Sequence, residues 1–233
     1  MKLSLSGRIA EQENVKDRIA IDFAELASLA ARLGFQALCV RPSQATVATP
    51  VKRIREMRAI LERHRLVASM VTADVRVAGQ GATLSSRASP ATLEPMLKLA
   101  EELGAGLVRI ALTKEEDIPW VRWASDAAAE RGLGLVHQTH TGTPFETLEG
   151  CRDMLARIDR SNFGLVIEPA NLLLCGQDFG LAALQPLGAS IFNVYVQNLR
   201  VTSSGPFEVR TNRGPVRYER LVIGDAVGID LPR

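Results

Sequence analysis

In LVIEPANLLLCG (165–176) an apolar run ends in Glu168, and Asn171 follows three residues later. A strand that delivers a carboxylate and an amide to one spot has the makings of an active-site rim. The carboxylate can take a proton or hold a metal, and the amide can hydrogen-bond a hydroxyl. The preceding run, LGLVHQTH (133–140), ends in His137, Gln138 and His140, and IFNVYVQNLR (191–200) carries Tyr195, Gln197 and Asn198. Side chains alternate along a strand, so Gln138 and His140 share one face and His137 takes the other as a core histidine. By the same rule Tyr195 and Gln197 point the same way. Glu168 is then the candidate general base, with His140 as its partner acid. Arg41 and Arg109 sit on earlier apolar runs, and their guanidinium groups suit a carboxylate or phosphate. As a metal set the group is thin, because hard cations want more oxygen ligands than one carboxylate supplies.

The elements that must position these residues alternate along the whole chain. Strands are expected at 2–7, 35–41, 66–72, 106–112, 133–140, 163–170 and 191–200. Between them lie helical patterns at 22–34, 49–65, 89–104, 118–132 and 143–159, and a shorter one near 179–188. Asp22 and Thr49 read as caps, Ser89-Pro90 opens another helix, and Gly34 and Gly104 read as stops. Strands this apolar require cover on both faces, which means a parallel sheet dressed with helices. The first turn has no glycine-rich nucleotide fingerprint, so a (β/α)8 TIM-type barrel is favoured over an open doubly wound sheet. Seven strands are evident and the eighth is missing or truncated. The tail after residue 200 is rich in Gly, Pro and charge, with room for a hairpin or a long loop. Residues 1–233 read as one domain.

Bulk properties exclude several functions. A formal net charge of +2 gives no electrostatic footprint for nucleic acid or an anionic membrane. The one locally basic stretch, VKRIREMR (51–58), reads as a solvated helix face. There are three cysteines and no CxxC, which suggests free thiols in a reducing compartment. No signal peptide or membrane span is evident, so a cytoplasmic protein is expected. Gly79-Gln80-Gly81 reads as a loop rather than a phosphate cradle.

The stretch from Gly132 to Asp178, with IFNVYVQNLRV and VIGDAVGIDLPR after it, resembles the xylose isomerase-like TIM barrels, the sugar phosphate isomerase/epimerase group. That family typically ends its fifth strand in Glu-x-His, its sixth in Asp-Pro-x-His and its seventh in His-x-Lys-Asp, with a last glutamate on the eighth. These acids and a histidine bind a divalent metal (Mn, Mg, Zn or Co), and two glutamates shuttle protons between adjacent sugar carbons. The resemblance places the fifth-strand acid at Gln138 and keeps its histidine as His140. It places the sixth-strand pair at Glu168 and Asn171, and the seventh-strand pair at Tyr195 and Asn198.

Only Glu168 remains as an acidic metal ligand, so no bound metal is expected unless the resemblance alone is followed. The implied protein acts on a sugar or sugar-like acid through Glu168 and His140. Gln138, Asn171, Tyr195, Gln197, Arg41 and Arg109 would hold the substrate. The alternative is a non-catalytic carbohydrate or metabolite-binding protein that has lost the metal site. An unclosed barrel seam favours a homodimer.

Overall fold

The computed structural model describes residues 2–12, 15–77 and 90–229. The described chain begins with β1 (Ser4–Ser6), short β2 (Glu11–Gln12) and β3 (Val15–Ile19), α1 (Phe23–Arg32), β4 (Ala37–Val40), α2 (Val51–Arg63) and β5 (Val67–Val77). It continues with α3 (Pro90–Leu103), β6 (Leu107–Leu112), α4 (Ile118–Ala129), β7 (Gly134–Gln138), α5 (Leu148–Ile158), β8 (Phe163–Ile167), α6 (Pro169–Leu174) and α7 (Leu181–Leu184). Last come β9 (Ile191–Val194), β10 (Asn198–Val201), β11 (Phe207–Thr211) and β12 (Gly214–Leu221).

Seven strands hydrogen-bond in the order β1-β4-β5-β6-β7-β8-β9, the progressive parallel order of a TIM-type α/β fold. Pairing is parallel between β1 and β4, β4 and β5, and β8 and β9. Every residue of β8 is buried, as a strand covered on both faces must be.

The chain divides into two compact units, Met1–Ala111 with Trp123–Leu135, and Leu112–Arg122 with Val136–Arg233. In the first, α1 starts where Asp22 accepts a hydrogen bond from Glu25 N–H and buries Phe23, Leu26, Ala27 and Ala30. That spacing is one face of a 3.6-residue period. Gly34 closes the helix at φ +80°, a backbone state costly for any residue with a Cβ. Thr49 does not cap α2. The N-cap is Pro50, with no side-chain bond, and the Thr49 hydroxyl instead accepts from Thr46 N–H. The basic face of α2 is solvated as expected, with Arg55 paired to Glu102 and Arg58 to Glu62.

In the second unit two strand expectations are corrected. The run 133–140 stops at Gln138, so Thr139 and His140 lie past the strand end, just before the turn at Thr141 and Gly142, and strand alternation does not govern His140. The run 191–200 is two strands in two sheets. β9 joins the parallel sheet, while β10 belongs to an antiparallel sheet ordered β10-β12-β11. The tail therefore holds a hairpin sheet. Its inner face packs on α6 through Ala170, Leu174, Leu199 and Ile229, with Val209, Val216 and Tyr218 against them. The helix expected from 143 begins at Leu148, where Thr147 accepts from Gly150 N–H.

Gly79-Gln80-Gly81, Ser89 and the last four residues lie outside the described residues. Among the described residues, no helix is long and apolar enough to cross a membrane.

Candidate functional site

The site is built at the ends of β7 and β8 in the second unit. Buried Ile167 ends β8, and Glu168 follows as the N-cap of α6, with Pro169 in the first turn. Pro169 cannot donate a backbone hydrogen bond and its fixed φ suits a helix start, so the chain turns at the acid. Asn171 then lies one turn along, on the Glu168 side.

Three side chains converge there. Asn171 Nδ2 donates to Glu168 Oε2 at 2.6 Å and to the Thr139 carbonyl at 2.8 Å. Gln138 Nε2 donates to the same Glu168 oxygen. The amide orientations follow from their partners, since a carbonyl and a carboxylate only accept. Flipping Asn171 would set its oxygen against two acceptors. Glu168 is fully buried, at 0% exposure, and its own N–H donates to Thr139 Oγ1 at 2.9 Å. A buried carboxylate needs such donors in place of water. Thr139, itself buried, thus holds both the acid and its amide partner, a role that no residue pattern around it signals.

The other expected residues are placed as follows. His140 is exposed, and its ring bonds stay with the next residue, with Nδ1 donating to the Thr141 carbonyl at 2.9 Å. Tyr195 is half-buried just after β9, and its N–H donates to the Ile167 carbonyl at 2.8 Å, one residue before Glu168. Gln197 is half-buried between β9 and β10. His137 is the core histidine expected: its Nδ1 accepts from Leu112 N–H at 3.1 Å, and its ring lies 4.2 Å from that of Phe145.

Asn198 is engaged with backbone groups. Its amide donates to the Val222 and Asp225 carbonyls at 2.9 and 3.0 Å, and its oxygen accepts from Ile229 N–H at 2.7 Å. It clamps the loop after β12.

Arg41 and Arg109 belong to the first unit. Arg41 Nε sits 2.6 Å from Glu11 Oε1, which also accepts from Ser43 Oγ. Much of the charge of Arg41 is therefore already matched. Arg109 lies on the less buried face of β6, and both guanidinium groups bear on the Cys39 thiol. Burial pushes that thiol's pKa up, and the hydroxyl of Thr72 and the two arginines pull it down by less.

The residues at the β7 and β8 ends do not fit a divalent ion. Glu168 is the one acid of the cluster, and its Oε2 already takes two N–H donors whose positive ends would face the cation. Among the described residues, no three His, Cys, Asp or Glu side chains converge as a metal set.

The strand order and the polar strand ends define a TIM-type α/β protein. The chain belongs to the xylose isomerase-like TIM barrel family, whose model matches residues 27–230. Among solved structures it is similar to the probable 3-DHS dehydratase AsbF of petrobactin synthesis from Bacillus anthracis. Identity is 17% over 85% of this chain and 74% of that one, at a TM-score of 0.69. It is also similar to a D-psicose 3-epimerase in the presence of D-fructose, at 12% identity over 89% and 77% of the two chains and a TM-score of 0.69. The IolI protein with a bound zinc atom is 15% identical over 86% and 74%, with a TM-score of 0.67. At such identities the likeness is one of fold. A search of curated protein sequences gives no match.

Proposed function

We propose that this chain is a single-domain sugar isomerase/epimerase-like protein that acts on a small polyhydroxylated substrate with an altered metal site. The observation that carries the reading is the Gln138–Glu168–Asn171 cluster at two adjacent strand ends, the position where this fold builds its sites. The epimerase and dehydratase neighbours support the substrate class. In this reading Glu168 accepts the proton from a carbon beside a carbonyl, and His140 supplies the partner acid. Gln138, Asn171, Tyr195 and Gln197 hydrogen-bond hydroxyls, and Arg41 and Arg109 hold a carboxylate or phosphate. By the family resemblance the amides of Gln138 and Asn171 take the places of metal ligands, and their N–H groups hydrogen-bond the carboxylate instead. We further propose a cytoplasmic homodimer, the latter checked by light scattering behind size exclusion.

A second reading has one observation in its favour. Glu168 is fully covered, and a covered acid serves better as a fixed anchor for Gln138 than as a base. In that case the protein binds a sugar or sugar acid without turning it over.

The test is proton exchange in D2O. Ketohexoses and their phosphates are incubated with wild type and with Glu168→Gln, and deuterium at carbon is followed by NMR. Incorporation lost in the variant supports the enzyme. Saturable binding without incorporation supports the binding protein, and the absence of both defeats both readings. The metal content of the untagged protein, by elemental mass spectrometry, is measured on the same samples; a tightly held divalent ion would overturn the altered site.

A further inference from the structure

Glu146 drew no attention in the sequence, yet it is the second carboxylate buried beside the site, at 2% exposure. Its Oε2 accepts from Gly142 N–H at 3.1 Å, in the turn just after Thr139 and His140. Its Oε1 accepts from Asn212 N–H at 2.7 Å, sixty-six residues away at the tip of the β11–β12 hairpin. The thiol of Cys175, the C-cap of α6, feels the same carboxylate, which adds to burial in pushing its pKa up. One side chain therefore joins two separate segments, the turn before it and the hairpin tip.

Both ends of this link are themselves fixed. Thr143 Oγ1 donates to the His140 carbonyl at 2.8 Å, which closes the turn on the histidine. At the hairpin tip, Thr211 Oγ1 donates to the Gly214 carbonyl and accepts from Arg213 N–H, and Gly214 takes φ +111°. Arg213 reaches the Gly176 carbonyl just past α6.

We propose that Glu146 is a positioning residue: it ties the turn just after Thr139 and His140 to the C-terminal hairpin and so sets where His140 stands. It acts through that turn and touches no substrate. The inference takes from the proposed function only that His140 belongs to the site, and its test reads no activity. A failed epimerase assay therefore leaves it standing.

The experiment is residue-resolved amide exchange on the full chain, with the His140 ring followed by NMR, in wild type, Glu146→Gln and Glu146→Asp. In wild type, Gly142 and Asn212 are expected to be protected together, opening at the same rate. In Glu146→Gln, where an NH2 replaces one acceptor, both exchange at least about tenfold faster and the His140 resonances move, while α6 amides keep their rates. Glu146→Asp keeps the charge and restores at least one of the two protections. Unprotected Gly142 and Asn212 in wild type would overturn the link without need of any variant. Acceleration spread evenly over α5, α6 and the hairpin would overturn it too, leaving Glu146 as a stabiliser of the fold only.

Discussion

The backbone of Glu168 is fastened to the segment just past β7 by one side chain: its N–H donates to Oγ1 of Thr139 at 2.9 Å. The Thr139 carbonyl takes the Asn171 amide, so this threonine sets the acid and its partner at once. Valine has the same shape without the acceptor. Thr139→Val should therefore lose about 1–3 kcal/mol, the cost of a buried N–H left without its partner. Thr139→Ser should recover most of it. Urea denaturation of the three proteins decides the matter, and equal midpoints for valine and wild type would deny the hydrogen bond any weight.

Gln138 and Asn171 both point N–H groups at Glu168 Oε2. Replacing them by acids, as Gln138→Glu with Asn171→Asp, sets three carboxylates together and one of them against the Thr139 carbonyl. The double variant should melt below wild type in chelator, because like charges share a buried site. Added Mn2+ or Co2+ should raise its Tm in a concentration-dependent way, since an ion that binds only the folded state stabilises it. Wild type should show no such rise. A double variant indifferent to both metals would remove the case that this site is an altered version of the family's.

How much of this could be read in the chain depends on which bonds are local. The α1 helix was legible because its cap, its apolar face and its glycine stop all lie within Asp22 to Gly34. Gln138, Glu168 and Asn171 were legible as polar groups ending apolar runs. The break in 191–200 was not, since alternation continues through Tyr195 and Gln197 regardless of partner. What decides it is that Tyr195 N–H still reaches the Ile167 carbonyl, whereas Asn198 pairs with Leu221. Thr139 and Glu146 were invisible for the same reason. Their partners are 29 and 66 residues away, and nothing in HQTHTGTPFE marks which hydroxyl or acid will be buried.

Cys151 and Cys175 are buried, and both thiols are pushed up to about 12, by burial first and, for Cys175, by the Glu146 carboxylate as well. The folded state thus holds these protons where the unfolded chain, with a thiol pKa near 9.0, releases them. Their contribution is fully present below pH 9 and is lost as pH rises toward 12. Denaturant midpoints should fall over that window, and fall less steeply in Cys151→Ser/Cys175→Ser. Parallel pH curves for the two proteins would show that the thiols do not drive the alkaline loss. Iodoacetamide at pH 8 should leave both sulfurs unmodified until denaturant is added.

Asn198 sits where the family resemblance places an acid, yet its surroundings demand an amide. Two carbonyls, of Val222 and Asp225, face its nitrogen, and the Ile229 N–H faces its oxygen. Gly228 packs so tightly against it that an added Cβ would fall 2.0 Å from Oδ1, so the loop has no slack. Asn198→Asp keeps the acceptor for Ile229 but turns both donor bonds into contacts between oxygens. The cost should be at least about 2 kcal/mol, more than a plain lost hydrogen bond, because a buried charge is left facing two acceptors. Isothermal titration with Mn2+ and Co2+ should show no gain in affinity. Should the variant bind either ion tightly while keeping wild-type stability, position 198 would have to be counted among the ligands, and its clamp on residues 222–229 would be secondary.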